Sequence, residues 1–232
     1  MVSCDPSVTN MLQQTLAENG SITLHGLGYS AYENTFDNQT TPVTLNIPAR
    51  KKSITAAFTL LRYQATGTNP DRTFTTTVGK QMGVTSYSYK VGSLDYPQRP
   101  VDCGVGTGTY NNGGGGDVTP AYCQLAKCFS RLGSTGDHSA LSRVSFCQTN
   151  STTNPSAGAF LNMFVMGYCF SSFSPKAIIE SGIDNATQSV PLSVELTRNT
   201  TGLAAGNIVA TTFIQNDLFF HIDGQGLILP SE

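Results

Sequence analysis

Apolar and polar residues alternate with a period of two along much of the chain, and each such stretch predicts a strand with one face buried. In VTLNI, Val43, Leu45 and Ile47 point one way while Thr44 and Asn46 point the other. In ITAAFTLL, Ile54, Ala56, Phe58 and Leu60 oppose Thr55, Ala57 and Thr59, and in LSVELT, Leu192, Val194 and Leu196 oppose Ser193, Glu195 and Thr197. TTFIQNDLFFHI places Ile214, Leu218, Phe220 and Ile222 on one face, with Asn216 as its polar exception. Its other face, Phe213, Gln215, Asp217, Phe219 and His221, reads as wetter but partly covered. FLNMFVMGYCF (160–170) is almost continuously apolar, which predicts a central strand covered on both sides. Strands separated by Gly, Pro, Asn and Thr clusters describe a sandwich or barrel rather than alternating βα units.

Helix is scarce. In TPAYCQLAKCFSRLG, Thr119 can cap, Pro120 suits the first helical position, and Ala121, Leu125, Phe129 and Leu132 form an apolar stripe that stops at Gly133. A second short helix is expected around SVTNMLQQTLAENG, so residues 1–20 read as a helical or linking segment and 21–232 as a single domain. Long loops and the inserted helix occupy its 103–158 region. GVGTGTYNNGGGGDV (104–118) lacks a following Gly-Lys-Ser/Thr, so it predicts a surface loop and not a phosphate cradle. In VGSLDYPQRPV (91–101), Pro97 and Pro100 remove two ladder donors and predict that a strand stops there and leaves its sheet.

Composition narrows the function. The chain has 232 residues, 39% hydrophobic, enough to bury a core. Only 12% are charged and the net charge is −2, with a pI near 5.9, which does not fit a dedicated nucleic-acid binder. Arg50, Lys51 and Lys52 form the one basic cluster and read as a solvated strand end. No basic start with an apolar run opens the chain and no stretch is apolar for long enough to span a bilayer, so a soluble protein is expected.

Candidate chemistry is thin. Asp137, His138 and Ser139 are adjacent on one backbone and cannot converge as a relay; His25 and His221 lie elsewhere. Cys123 and Cys128 are five apart and make no metal hook. With Cys4, Cys103, Cys147 and Cys169 they are expected to be mostly buried thiols. Sequons at Asn19, Asn38, Asn150, Asn185 and Asn199 barely exceed chance in a chain this rich in Asn, Ser and Thr. No carboxylate pair suggests glycoside chemistry. The expectation is no enzyme, with no catalytic, cofactor-binding or metal-binding residues.

The order of four segments carries a resemblance. NIPARKKSITAAFTLLR (46–62), YKVGSLDYPQRPV (89–101), AYCQLAKCF (121–129) and ATTFIQNDLFFHIDGQGLILPSE (210–232) together resemble the C-terminal half of the double jelly-roll major capsid proteins of eukaryotic double-stranded DNA viruses. The polinton-like and adintovirus-like branch is nearest, the giant-virus branch more distant. Val91, Gly92, Ser93, Pro97 and Pro100 fit the family's strand-to-loop pattern, and Asp217, Leu218, Phe219, Phe220, Ile222 and Gly226 its terminal-strand pattern. The similarity implies a jelly-roll β-sandwich of two packed antiparallel sheets with one inserted amphipathic helix. It also implies a homotrimeric, pseudo-hexagonal capsomer in an icosahedral virion shell, with neighbouring capsomers and minor capsid proteins as partners and no direct sequence-specific nucleic-acid contact.

The length departs from the pattern, because two rolls need well over ~300 residues at eight strands each; 232 residues suit one roll, either half of a longer polypeptide or a stand-alone relative. QTNSTTNPSAG (148–158) and the glycine-rich loop then read as surface decoration. The competing readings are a glycan- or receptor-binding jelly-roll module, and a cupin-type barrel enzyme, which three isolated histidines argue against.

Overall fold

The computed structural model describes residues 6–64, 79, 81–104, 118–129, 146, 164–171, 182–187, 189–201, 206–223 and 228–231. Helix α1 (Pro6–Asn19) precedes strands β1 (Ser21–Asp37), β2 (Val43–Ile47), β3 (Ile54–Tyr63), β4 (Val84–Val91) and β5 (Leu94–Asp102). Helix α2 (Thr119–Phe129) follows, then β6 (Met166–Cys169), β7 (Leu192–Arg198), β8 (Asn207–Asp223) and β9 (Ile228–Ser231).

The strands form two antiparallel sheets, one ordered β1-β8-β3-β6 and the other β2-β7-β4-β5. Four of the antiparallel ladders join β1 to β8, β2 to β7, β3 to β6 and β4 to β5. That nesting is one long hairpin whose tip is the β4–β5 turn. Rolling it so that β8 meets β3 and β7 meets β4 closes the two sheets. This is the jelly-roll arrangement. Strand β9 turns back onto β8 at Phe219–Ile222, beyond the point where β3 begins.

Three strands of the second sheet line up their apolar sets. Val43, Leu45 and Ile47 pair with Leu196, Val194 and Leu192, which in turn pair with Tyr87, Tyr89 and Val91. All are buried, and the BeBeB burial of β2 is the expected alternation. The first sheet answers with Ile208, Ala210, Thr212 and Ile214 of β8, all at 0% exposure, and with Ala57, Thr59 and Leu61 of β3.

Strand β3 corrects the sequence reading. Thr55, Ala57 and Thr59 were expected to face outward, yet all three are buried, and Thr59 points across the sandwich to Tyr89. The opposite set, Ala56 and Phe58, is buried as well. A central strand is covered on both faces, so period-two alternation cannot say which face meets the core. The polar residues are tolerated because they are bonded: the Thr59 hydroxyl lies 3.0 Å from both Tyr89 Oη and Thr212 Oγ1, and the Tyr89 hydroxyl donates to the Met166 carbonyl. Tyr89→Phe removes the hub of this inter-sheet bridge and is expected to cost about 1–2 kcal/mol, read from the urea midpoint.

Two further expectations change. The apolar run ending at Phe170 contributes β6, which is an edge strand, not a central one; its first residues, 160–163, lie outside the described residues. Its apolar character follows from α2, which contacts β6, β5 and β3. Gly167 permits that approach, since a Cβ there would lie 2.8 Å from Leu125 Cδ1. The prolines of β5 do not end the strand. The chain reverses at Gly92 (φ 62), and β5 then runs through Pro97 and Pro100 in the same sheet as β4. Pairing lapses between Tyr96 and Val101 and then resumes, because an edge strand can bulge around missing donors without leaving the sheet. Helix α2 starts at Thr119 as expected, with Ala121 and Leu125 buried; 130–133 lie outside the described residues.

Candidate assembly surface

The residues with possible chemistry come first, because the fold gathers a few of them. Asp217 on β8 accepts from His25 Nε2 of β1 at 2.8 Å and from Ser53 Oγ at 2.6 Å, while the Gly182 amide donates to Ser53 Oγ. His25 also stacks on Phe219, with ring centroids 5.2 Å apart. The carboxylate stands between serine and histidine, so the histidine has no contact with the hydroxyl and cannot take its proton. Ser53 is also buried. The cluster works as a clamp tying β1, β8, the start of β3 and the 182–183 segment together. His221 Nδ1 instead meets Thr23 Oγ1 at 3.0 Å. Asp137, His138 and Ser139, the glycine-rich loop 105–117, the 148–158 segment, Cys4 and Cys147 lie outside the described residues.

Among the described residues no group of three His, Cys, Asp or Glu side chains is placed to hold a metal ion. Cys103 and Cys128 are buried free thiols as expected, whereas Cys123 is exposed and Cys169 half-buried. Burial pushes the Cys103 and Cys128 thiols well above their ordinary range, so neither offers a thiolate at neutral pH. Two sequons are structural. Asn38 and Asn185 are at 0% exposure; Asn38 Oδ1 accepts from Arg198, and Asn185 donates to the Ala49 carbonyl. A glycan could not be attached to either in the folded chain. Asn19 is exposed at the end of α1, and Asn150 lies outside the described residues.

What distinguishes the surface is the contrast between the two outer walls. The β2-β7-β4-β5 sheet turns Thr44, Asn46, Ser193 and Glu195 outward, and Lys90 bridges Glu195 at 2.8 Å and Asp95 at 3.6 Å. The hydrogen bond to Glu195 raises the Lys90 pKa above its ordinary value, which keeps the ammonium charged. Leu27 and Tyr29 of β1 and Phe213 of β8 are exposed on the outer face of the first sheet, and Tyr29 is 64% exposed. Leu24 is exposed on that sheet's other face, and Met11 and Leu12 are exposed on α1. Leu94, at the β4–β5 turn, stands apart from this group. Three exposed apolar side chains on one wall, against a polar and charged opposite wall, make the first sheet's outer face the candidate contact surface. Sequence reasoning left 21–37 unassigned. Gly26, Gly28 and apolar residues on both faces break the alternation there, so no periodic signal was present to find.

No family model matches the sequence, and no curated protein matches it. Solved structures align with the chain. The mavirus major capsid protein aligns at 9% identity and a TM-score of 0.49, covering 91% of this chain and 41% of that one. The Sputnik virophage structure aligns at 14% identity and 0.46, covering 91% and 39%. The PBCV-1 capsid model aligns at 10% identity and 0.46, covering 91% and 52%. The chain therefore spans about half the length, or less, of the chains it aligns with.

Proposed function

We propose that this chain is a capsid subunit, one jelly roll of a viral major capsid protein that acts by assembly and not by catalysis. The observation that carries the reading is where the resembling segments fall. In the roll, 46–62 covers the passage from β2 into β3, 89–101 the β4–β5 hairpin, 121–129 helix α2, and 210–232 strands β8 and β9. The order of motifs is thus the order of elements in one jelly roll. A polar wall opposite a wall with exposed apolar residues suits a subunit that is packed on one side only.

On this reading the chain resides in the virion. Its partners are further copies in a trimeric, pseudo-hexagonal capsomer, together with neighbouring capsomers and minor capsid proteins of an icosahedral shell. Residues 21–232 make up one roll, and the double-roll arrangement is completed by a second. Negative-stain electron microscopy of the native material tests this. Trimeric blocks of hexagonal outline, or shells built from them, are expected. Isolated monomers that bind glycans would replace the proposal with a receptor-binding module.

A further inference from the structure

The sheet edges are not protected alike. An open edge offers unpaired N–H and C=O groups to any passing strand, and proteins blunt it with short strands, proline, lysine or a covering helix. Three of the four edges follow this rule. Strand β2 has five residues, β5 carries Pro97 and Pro100, and β6 has four residues and is covered by α2. Strand β1 does not. It runs for 17 residues without proline, lysine or arginine, and among the described residues its only strand partner is β8.

The register shows which groups are free. Asn38 N–H donates to the Gly206 carbonyl, in line with the β1–β8 pairing, so the even-numbered residues of β1 spend their backbone groups on β8. On the other side of β8, Gln64 N–H donates to the Asn207 carbonyl, so odd-numbered β8 residues serve β3 in the same way. Odd-numbered residues of β1 from Thr23 to Thr35 therefore direct their N–H and C=O groups to the open edge.

We infer that β1 is a self-association edge, taking the β1 strand of a second copy in antiparallel fashion across a two-fold axis. The pairing that overlaps Ser21–Asp37 end to end places Tyr29 on the axis, opposite Tyr29 of the second copy. It brings free odd residues against free odd residues, which the hydrogen-bond pattern requires. Leu27 then faces Ala31 and, twice over, His25 faces Glu33, each of which keeps its partner within its own chain, Asp217 and Arg62. On the other face Tyr32 of one copy lies opposite Gly26 of the other. The two first sheets join into one continuous sheet through the contact. The contact is isologous, so it is distinct from any three-fold capsomer contact and does not rest on the capsid reading.

Two substitutions at Tyr29 test it without touching the β8 ladder. Tyr29→Pro deletes a donor that only the second copy would use, and Tyr29→Lys sets two ammonium groups face to face on the axis. In sedimentation velocity the wild-type chain is expected to shift from monomer to dimer with rising concentration, and both variants, which also lose the bond from Gln215 Nε2 to Tyr29 Oη, to remain folded monomers. Hydrogen exchange followed by NMR adds the register: amides of His25, Leu27, Tyr29 and Ala31 gain protection on dimerisation, while those of Gly26, Gly28 and Ser30 are protected already. A wild-type chain that stays monomeric, or dimers that persist in both variants, would overturn the inference. Trimers or shells formed equally by all three proteins would overturn it too, while leaving the capsid reading intact.

Discussion

Replacing Arg198 with alanine is expected to lower the unfolding free energy by roughly 3–5 kcal/mol, the scale of breaking a buried, fully bonded charge. Arg198 ends β7 and is only 4% exposed. Its five N–H donors all find oxygen: Nε and Nη2 on the Met82 carbonyl, Nη2 also on Asn38 Oδ1, and Nη1 on the carbonyls of Asn38 and Thr40. The guanidinium lies over the Phe36 ring, 5.1 Å from its centroid. Burial lowers its pKa to about 10, which leaves it charged at neutral pH and every one of those bonds charge-assisted. One side chain thereby fastens the β1–β2 turn and the turn before β4, where Met82 has a φ of 50°. Alanine would leave the acceptors of both turns facing a cavity. For a chain of this size the melting temperature should fall by roughly 10 °C or more. Arg198→Lys keeps the charge but cannot reach both turns, and should lie between the two. Calorimetry that found the alanine variant melting with the wild type would show that the turns hold themselves.

Gly182→Ala should be nearly as damaging, at roughly 3–5 kcal/mol, through overpacking and lost backbone hydrogen bonds. A Cβ at Gly182 would collide with the Ile54 carbonyl oxygen and sit 2.7 Å from its nitrogen. Neither is the movable end of a side chain. The backbone would have to part, and two bonds run there in opposite senses, Ile54 N–H to the Ile183 carbonyl and Ile183 N–H to the Ile54 carbonyl. The Gly182 amide would also release Ser53, and with it the clamp on Asp217. Guanidinium unfolding would measure the loss, and exchange of the Ile54 and Ile183 amides would localise it. A variant with wild-type stability and protected amides would mean that the segment shifts as a unit.

Both sites show where sequence reading stops. Arg198 continues the inward set of Leu192, Val194 and Leu196, but nothing local announces that two distant turns will offer its charge four oxygens. Asn38 and Asn185 read as sequons for the same reason. Their burial depends on partners 160 and 136 residues away. Strand β1 escaped notice because an edge strand with glycines and apolar residues on both faces carries no period. Its identity as a strand comes from β8, whose own pattern was plain.

By itself the sequence determined that this is a β-sandwich or barrel with an inserted amphipathic helix, since period two and period 3.6 are properties of local geometry and survive whatever the strands later pair with. It placed β2, β7 and the terminal strand correctly for that reason. Only the tertiary structure decided which face of β3 meets the core, that β6 lies at an edge, and that the prolines of β5 sit inside a strand. Those outcomes depend on what packs beside each strand, and pairing between residues far apart in the chain leaves no trace in the spacing of either one. The open edge of β1 is of the same kind: its free hydrogen-bonding groups are set by the register with β8.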